Sequence, residues 1–234
     1  MGYDATLVTR IRRALVSAGD AQRAVGQQTY MHSELPFHGV RTPQVRRMVG
    51  QLVRDRLPAD RGVWEATMRE LWDGATHREQ RYAALALARH SSARAWQDPD
   101  VLELYRHLVV TGAWWDLVDE IATQLVGPVL QAFRESVTPV IDRWAVEEDL
   151  WLRRTAILAQ LKHRGDTDIA LLERAVAANL EGSRFGGEFF VRKAIGWALR
   201  EHAKTDPAWV LALLDRYADR VSPLSRREAT KHLR

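Results

Sequence analysis

Apolar residues recur every three to four positions along nearly the whole chain, and no stretch alternates apolar and polar residues as a half-buried strand would. The periodicity predicts helices at about 4–18, 20–32, 42–56, 60–73, 77–90, 99–111, 114–126, 136–147, 149–164, 167–181, 186–204, 206–219 and 222–233. Thr42-Pro43, Asp98-Pro99, Thr138-Pro139, Asp206-Pro207 and Ser222-Pro223 each set a capping side chain before a proline suited to the first helical turn. Gly74, Gly112, Gly127 and Gly165 fall where helices should stop. Short helices that pair about every 35–40 residues predict an all-α, HEAT-like helical-repeat solenoid. The expectation is a single curved domain over residues 1–234 with a concave basic face. Repeats are not visible as residue identity, and a globular all-α bundle is the structural alternative.

Three segments depart from plain amphipathicity. In 114–126, Trp114, Leu117, Val118, Ile121 and Leu125 cluster on one arc, while Trp115 and Asp119, four apart, share another side. Asp116 falls on a different arc from Asp119 and reads as a structural or solvent carboxylate. In 186–204, Lys193, Trp197, Arg200 and Lys204 fall within an arc of about 60°, nearly opposite Val191, Ala194, Ile195 and Ala198. A tryptophan centred in a basic stripe suits nucleic acid, with cations for phosphates and an aromatic plane for sugar or base. The bland alternative is a solvated face with one Trp under arginine stems.

The helix at 149–164 is apolar nearly all round, so Arg153 and Arg154 need partners, because an isolated buried charge is costly. Either one pairs with a core carboxylate or points to the concave face, and spacing does not choose. The C-terminal run Ser225, Arg226, Arg227 and Lys231 follows the Ser222-Pro223 cap, with Arg227 and Lys231 four apart. Near the other end, the loop at 34–41 leads to Thr42 and Arg46, placed to reach a phosphate at a helix start. A capped helix with a surface arginine explains that spacing equally well.

Composition narrows the chemistry. The 234 residues are 46% hydrophobic and 27% charged, an ordinary globular balance. No apolar run approaches the roughly 18 residues of a membrane span. The start, Met1-Gly2-Tyr3-Asp4, lacks a basic flank and apolar core, so a cytoplasmic protein without a signal peptide is expected. The absence of cysteine removes disulfides, thiolate metal sites and a cysteine nucleophile. The eight histidines never take metalloprotease spacing, and no metal is expected. Residues 184–234 hold 11 Lys/Arg against 6 Asp/Glu, whereas the preceding residues hold 23 against 24, so the basic excess is C-terminal.

Several blocks together carry a resemblance. They are Pro36-Phe37-x-Gly39-Val40-x-Thr42-Pro43, Trp114-Trp115-Asp116-x-x-Asp119, Leu150-Trp151-Leu152-x-Arg154-x-Ala156-Ile157-Leu158-x-Gln160-Leu161-Lys162, Glu188-Phe189-Phe190-x-x-Lys193-Ala194-Ile195-Gly196-Trp197-x-Leu199-Arg200-Glu201 and Pro223-Leu224-Ser225-Arg226-Arg227-Glu228-Ala229. In that order, from about residue 30 to the C-terminus, the chain resembles the DNA-alkylation-repair family of AlkD type. The resemblance implies a HEAT-like DNA glycosylase that removes positively charged N3- or N7-alkylated purines from duplex DNA in base excision repair. It implies a monomer with no cofactor and no membrane partner, at the nucleoid when acting on DNA. Trp115, Asp119, Arg154 and Trp197 would form the active site. Thr42, Arg46, Lys193, Arg200, Lys204, Ser225, Arg226, Arg227 and Lys231 would hold the DNA backbone.

The residue types suit that chemistry. An alkylated purine is a cationic leaving group, so no general acid is needed. Positive charge then develops on the deoxyribose, and a fixed carboxylate stabilises it more in the transition state than in the ground state. Asp119 is the expected stabiliser and water-orienting group. Trp115 and Trp197 would hold the sugar and cationic lesion. Arg154 would grip a phosphate and keep Asp119 ionised. The rivals are a non-catalytic HEAT-repeat protein binding DNA structures and a solenoid binding an acidic protein. A carboxylate beside Trp115 on a phosphate-binding face favours catalysis, because it otherwise opposes affinity.

Overall fold

The computed structural model describes residues 2–233; Met1 and Arg234 lie outside the described residues. Among the described residues there are fourteen α-helices and no strand, as the 3.6-residue periodicity requires. The chain divides into two compact units, one ending at Gln97 and the other beginning at Asp98. Among the described residues no helix is long and apolar enough to cross a membrane.

The N-terminal unit contains α1 (Ala5–Ser17), α2 (Ala21–Met31), α3 (Thr42–Asp55), α4 (Arg61–Asp73) and α5 (Arg78–Ala88). Asp4, Asp20 and Asp60 cap α1, α2 and α4 by accepting the N–H groups of Leu7, Arg23 and Val63. Helix α5 packs against α3 and α4 and is buried along most of its length. Its fully buried Glu79 accepts the backbone N–H groups of His38, Gly39 and Val40 at 2.9, 2.9 and 3.0 Å. Those bonds satisfy the backbone of the irregular loop before α3 and so fix where α3 starts. Thr42 is not the cap expected from the sequence. The Arg41 carbonyl already accepts from Gln44 and Val45, which makes Arg41 the cap and Thr42 the first helical residue.

The C-terminal unit runs from α6 (Leu102–Gly112) through α7 (Trp115–Ile121), α8 (Gly127–Ala132), α9 (Arg134–Trp144), α10 (Leu150–Leu158) and α11 (Ile169–Ala177) to α12 (Phe189–His202), α13 (Pro207–Arg216) and α14 (Pro223–Ala229). Helix α10 is its hub and touches α6, α7, α9, α11 and α12. Asp206 and Ser222 cap α13 and α14 as expected, accepting from Trp209 and Ser225.

Three expected boundaries fail in this unit. Gly127 does not stop a helix: α7 continues through a π-helical stretch, Ala122–Val126, straight into α8. Its backbone is ordinary right-handed helix, at φ −55°. What the site needs is the missing Cβ, which would lie 2.5 Å from the Ala159 carbonyl oxygen just past α10. Thr138-Pro139 is no cap either, because α9 begins at Arg134, after the break at Phe133, and Pro139 lies inside it. The carbonyl that loses its partner there belongs to exposed Glu135, where water can satisfy it. The expected helix at 149–164 also ends early, at Leu158.

Candidate active site

Helix α6 ends at Gly112, and its cap Ala113 is held in the left-handed region at φ 39°. The next residue, Trp114, is the extended cap of α7 and so lies outside the helix rather than on its apolar arc. Its half-buried ring packs 6.0 Å from Trp151 and 5.4 Å from Phe190, which are 5.1 Å from each other. Within α7, Leu117, Val118 and Ile121 are buried, while Trp115 and Asp119 remain partly exposed on the other side. The Asp119 carbonyl accepts the Thr123 hydroxyl at 2.7 Å, inside the π-helical stretch. Such stretches recur at functional sites.

Asp119 is held by Arg154 of α10. Arg154 Nε donates to Oδ1 at 2.7 Å and Nη2 to Oδ2 at 2.9 Å, while Nη1 donates to the Phe190 carbonyl at the start of α12. The Arg154 side chain is 5% exposed and that of Asp119 is 16% exposed. Arg153 turns away to the Val146 and Glu147 carbonyls and the Asn179 side chain. Of the two arginines, Arg154 is therefore the partner of the carboxylate. The phosphate grip expected of Arg154 does not fit this geometry, because the group is buried and its fork is committed to Asp119 and Phe190.

Burial pushes the Asp119 carboxyl above the usual carboxylate range, and the like charge of Asp116 adds to the rise. The hydrogen bonds and charge of Arg154 pull the other way but do not win. The expected net lowering by Arg154 is thus reversed by desolvation. A charge held in this setting acts less screened than it would in water.

Trp197 lies half-buried on α12, two turns beyond Phe190. The core face predicted for this helix is buried at Val191, Ala194, Ile195 and Ala198. The basic stripe is not an open cationic face. Helix α14 lies against α12, and Glu228 takes Lys193 at 3.2 Å and Arg200 at 2.6 Å. Gly196 permits the approach, since a Cβ there would come 2.6 Å from Glu228 Cβ. Partial burial pushes the Glu228 carboxyl up, but Lys193 and Arg200 outweigh it and hold the group below its ordinary value. Lys204 pairs with Glu201 at 2.7 Å.

Ser225 leaves the DNA-facing set as a side chain: it is 1% exposed and its hydroxyl donates to the Arg192 carbonyl. Arg226 donates to the Leu214 carbonyl. Arg227 and Lys231 are exposed, as is Arg46 in the N-terminal unit, where Thr42 is half-buried. Sequence reasoning missed Glu228 and the Phe190 carbonyl as partners. Helical periodicity carries no signal for a contact some thirty residues away. Among the described residues no cluster of three or more His, Asp or Glu is placed to hold a metal.

The all-helical chain is similar to known proteins. A family model described as DNA alkylation repair enzyme matches residues 11–233. The chain belongs to that family, which gives it a role in DNA repair with DNA as its substrate. It is similar to a solved structure described as a predicted DNA alkylation repair enzyme from Enterococcus faecalis, at 28% identity and a TM-score of 0.79. That likeness covers 92% of this chain and 96% of the other. No curated protein matches the chain.

Proposed function

We propose that the protein is a monofunctional DNA glycosylase that hydrolyses the N-glycosidic bond of N3- or N7-alkylated purines in duplex DNA. The observation that carries this reading is the bidentate Asp119–Arg154 pair, with Trp115 one turn earlier on α7. The alkylated base leaves as a neutral purine, taking the glycosidic electron pair, and the deoxyribose becomes an oxocarbenium ion. Asp119 stabilises that cation and orients the water that adds to C1′, with the water's surplus proton passing to solvent. Arg154 holds the carboxylate in place, so little reorganisation is needed as charge develops. The pair costs desolvation energy that folding alone does not reward, which supports a catalytic use. Trp115 and Trp197 offer ring faces to the sugar and the cationic lesion.

Residues 1–234 are read as one functional domain acting as a monomer, with no cofactor, and DNA contacts at Thr42, Arg46, Arg227 and Lys231. Lys193, Arg200 and Lys204 join them once DNA phosphates compete with Glu228 and Glu201. The test is abasic-site formation in methylated duplex DNA. Wild type should generate abasic sites, and Asp119→Asn should lose most of that activity while keeping its affinity for the duplex. Wild-type binding without base release would instead favour a non-catalytic DNA-structure-binding protein.

A further inference from the structure

Trp197 opens onto a cleft in the C-terminal unit whose wall is the turn that follows α10, with Lys162, His163, Arg164, Gly165 and Asp166. The turn is closed by the Asp166 N–H on the His163 carbonyl at 2.9 Å. Inside it, Arg164 sits in the left-handed region at φ 53°, where a Cβ is unfavourable. The next residue is Gly165, and a Cβ there would meet nothing within 4 Å. Glycine would carry the left-handed position without strain, yet an exposed arginine occupies it. Strain kept at an exposed side chain points to a use for that side chain.

The charges around the cleft are unequal. Asp166 accepts from Gln131 through its carboxylate at 3.0 Å and from Arg134 through its carbonyl at 2.6 Å. Glu201 is held by Lys204. Against these two carboxylates stand Lys162, Arg164, Arg134 and Lys204. Lys162 and Arg164 are both exposed at the rim beside an aromatic ring. Such a rim suits a nucleic-acid strand, with the ring against a sugar or base and the cations on the adjoining phosphate.

We infer that this turn is a phosphate grip, in which Arg164, assisted by Lys162, binds the DNA backbone phosphate next to the nucleotide that Trp197 addresses. The inference rests on the reading of Trp197 as a DNA-facing residue. Arg164 acts in binding, not in bond cleavage.

The experiment measures affinity for an undamaged duplex oligonucleotide over a salt series, for wild type, Arg164→Ala, Arg164→Gly and Arg164→Lys. Each phosphate contact contributes about 0.9 to the log–log salt slope. Arg164→Ala should lower the slope by about that amount, and Arg164→Lys should keep it. Arg164→Gly should show the lowered slope together with a raised Tm, because the strain is relieved while the charge is lost. A merely structural turn residue would not couple greater stability to weaker binding. An unchanged slope in Arg164→Ala, with its helical circular dichroism intact, overturns the grip. Lowered slopes in a protein that releases no base from methylated DNA would sink the glycosylase reading and leave the grip standing.

Discussion

Arg154 meets Asp119 with both edges of its guanidinium, at 2.7 and 2.9 Å, and joins α10 to α7 across 35 residues of sequence. Its third hydrogen bond, to the Phe190 carbonyl, brings the first turn of α12 to the same point. Three helices are thereby fixed around one carboxylate, which is what the proposed action on a developing cation requires.

Removing only the arginine leaves Asp119 mostly buried without a partner. Arg154→Met should cost about 3 kcal/mol, at the low end for breaking a buried ion pair. Thermal denaturation would show this as a Tm drop on the order of 10 °C. Adding Asp119→Leu to Arg154→Met should recover most of the loss while base release stays absent. A double variant no more stable than Arg154→Met would mean that the arginine acts mainly through Phe190.

Acid should switch the reaction off above the range expected of an ordinary carboxylate. In the proposed mechanism Asp119 works as the anion, and burial raises its pKa, so the rate should rise with pH through that raised value. In Arg154→Gln both lowering contributions are lost, and the midpoint should move higher still. Single-turnover base release against pH, on DNA methylated beforehand, reads both midpoints. A midpoint for wild type at or below the usual carboxylate range would argue against Asp119 as the titrating group.

Glu228 pairs with Lys193 and Arg200, so under the proposed DNA contacts it would compete with DNA for both cations. Glu228→Gln should tighten binding to undamaged duplex and steepen its log–log salt slope by about one to two units, as one or both cations become available. Fluorescence anisotropy over a salt series measures this. An unaltered slope would show that neither cation reaches phosphate.

Gly127→Ala places a methyl group 2.5 Å from the Ala159 carbonyl oxygen. That carbonyl and the Ala122 carbonyl, 3.3 Å away, are both backbone, so the helices must part, at a cost of about 1–3 kcal/mol. The same displacement pulls the continuous α7–α8 element, with Asp119, away from α10 and Arg154. Base release should therefore fall further than the loss of folded protein explains. Equal losses in folded fraction and in rate would limit Gly127 to a stability role.

The caps at Asp206 and Ser222, the all-helical class, the buried face of α12 and the shared side of Trp115 and Asp119 were all legible in the sequence. Each depends on residues within about one or two helical turns, and the 3.6-residue period relates such positions directly. The failures at Gly127 and Pro139 have one cause. A glycine or proline read along the chain suggests a break, but the Ala159 carbonyl explains the glycine inside a continuous helix, and the real break before α9 falls at Phe133, five residues before Thr138.

Sequence alone therefore determined the elements and the chemical types on their faces, down to the aromatic–carboxylate pair on α7. Tertiary structure decided what those groups are paired with. It gave Asp119 to Arg154 rather than Arg153, raised the carboxyl's pKa by burial, and set Glu228 against the basic stripe of α12. The reason is physical: charge pairing and desolvation depend on distances between helices far apart in the chain, and a periodic pattern along one helix does not encode its neighbour.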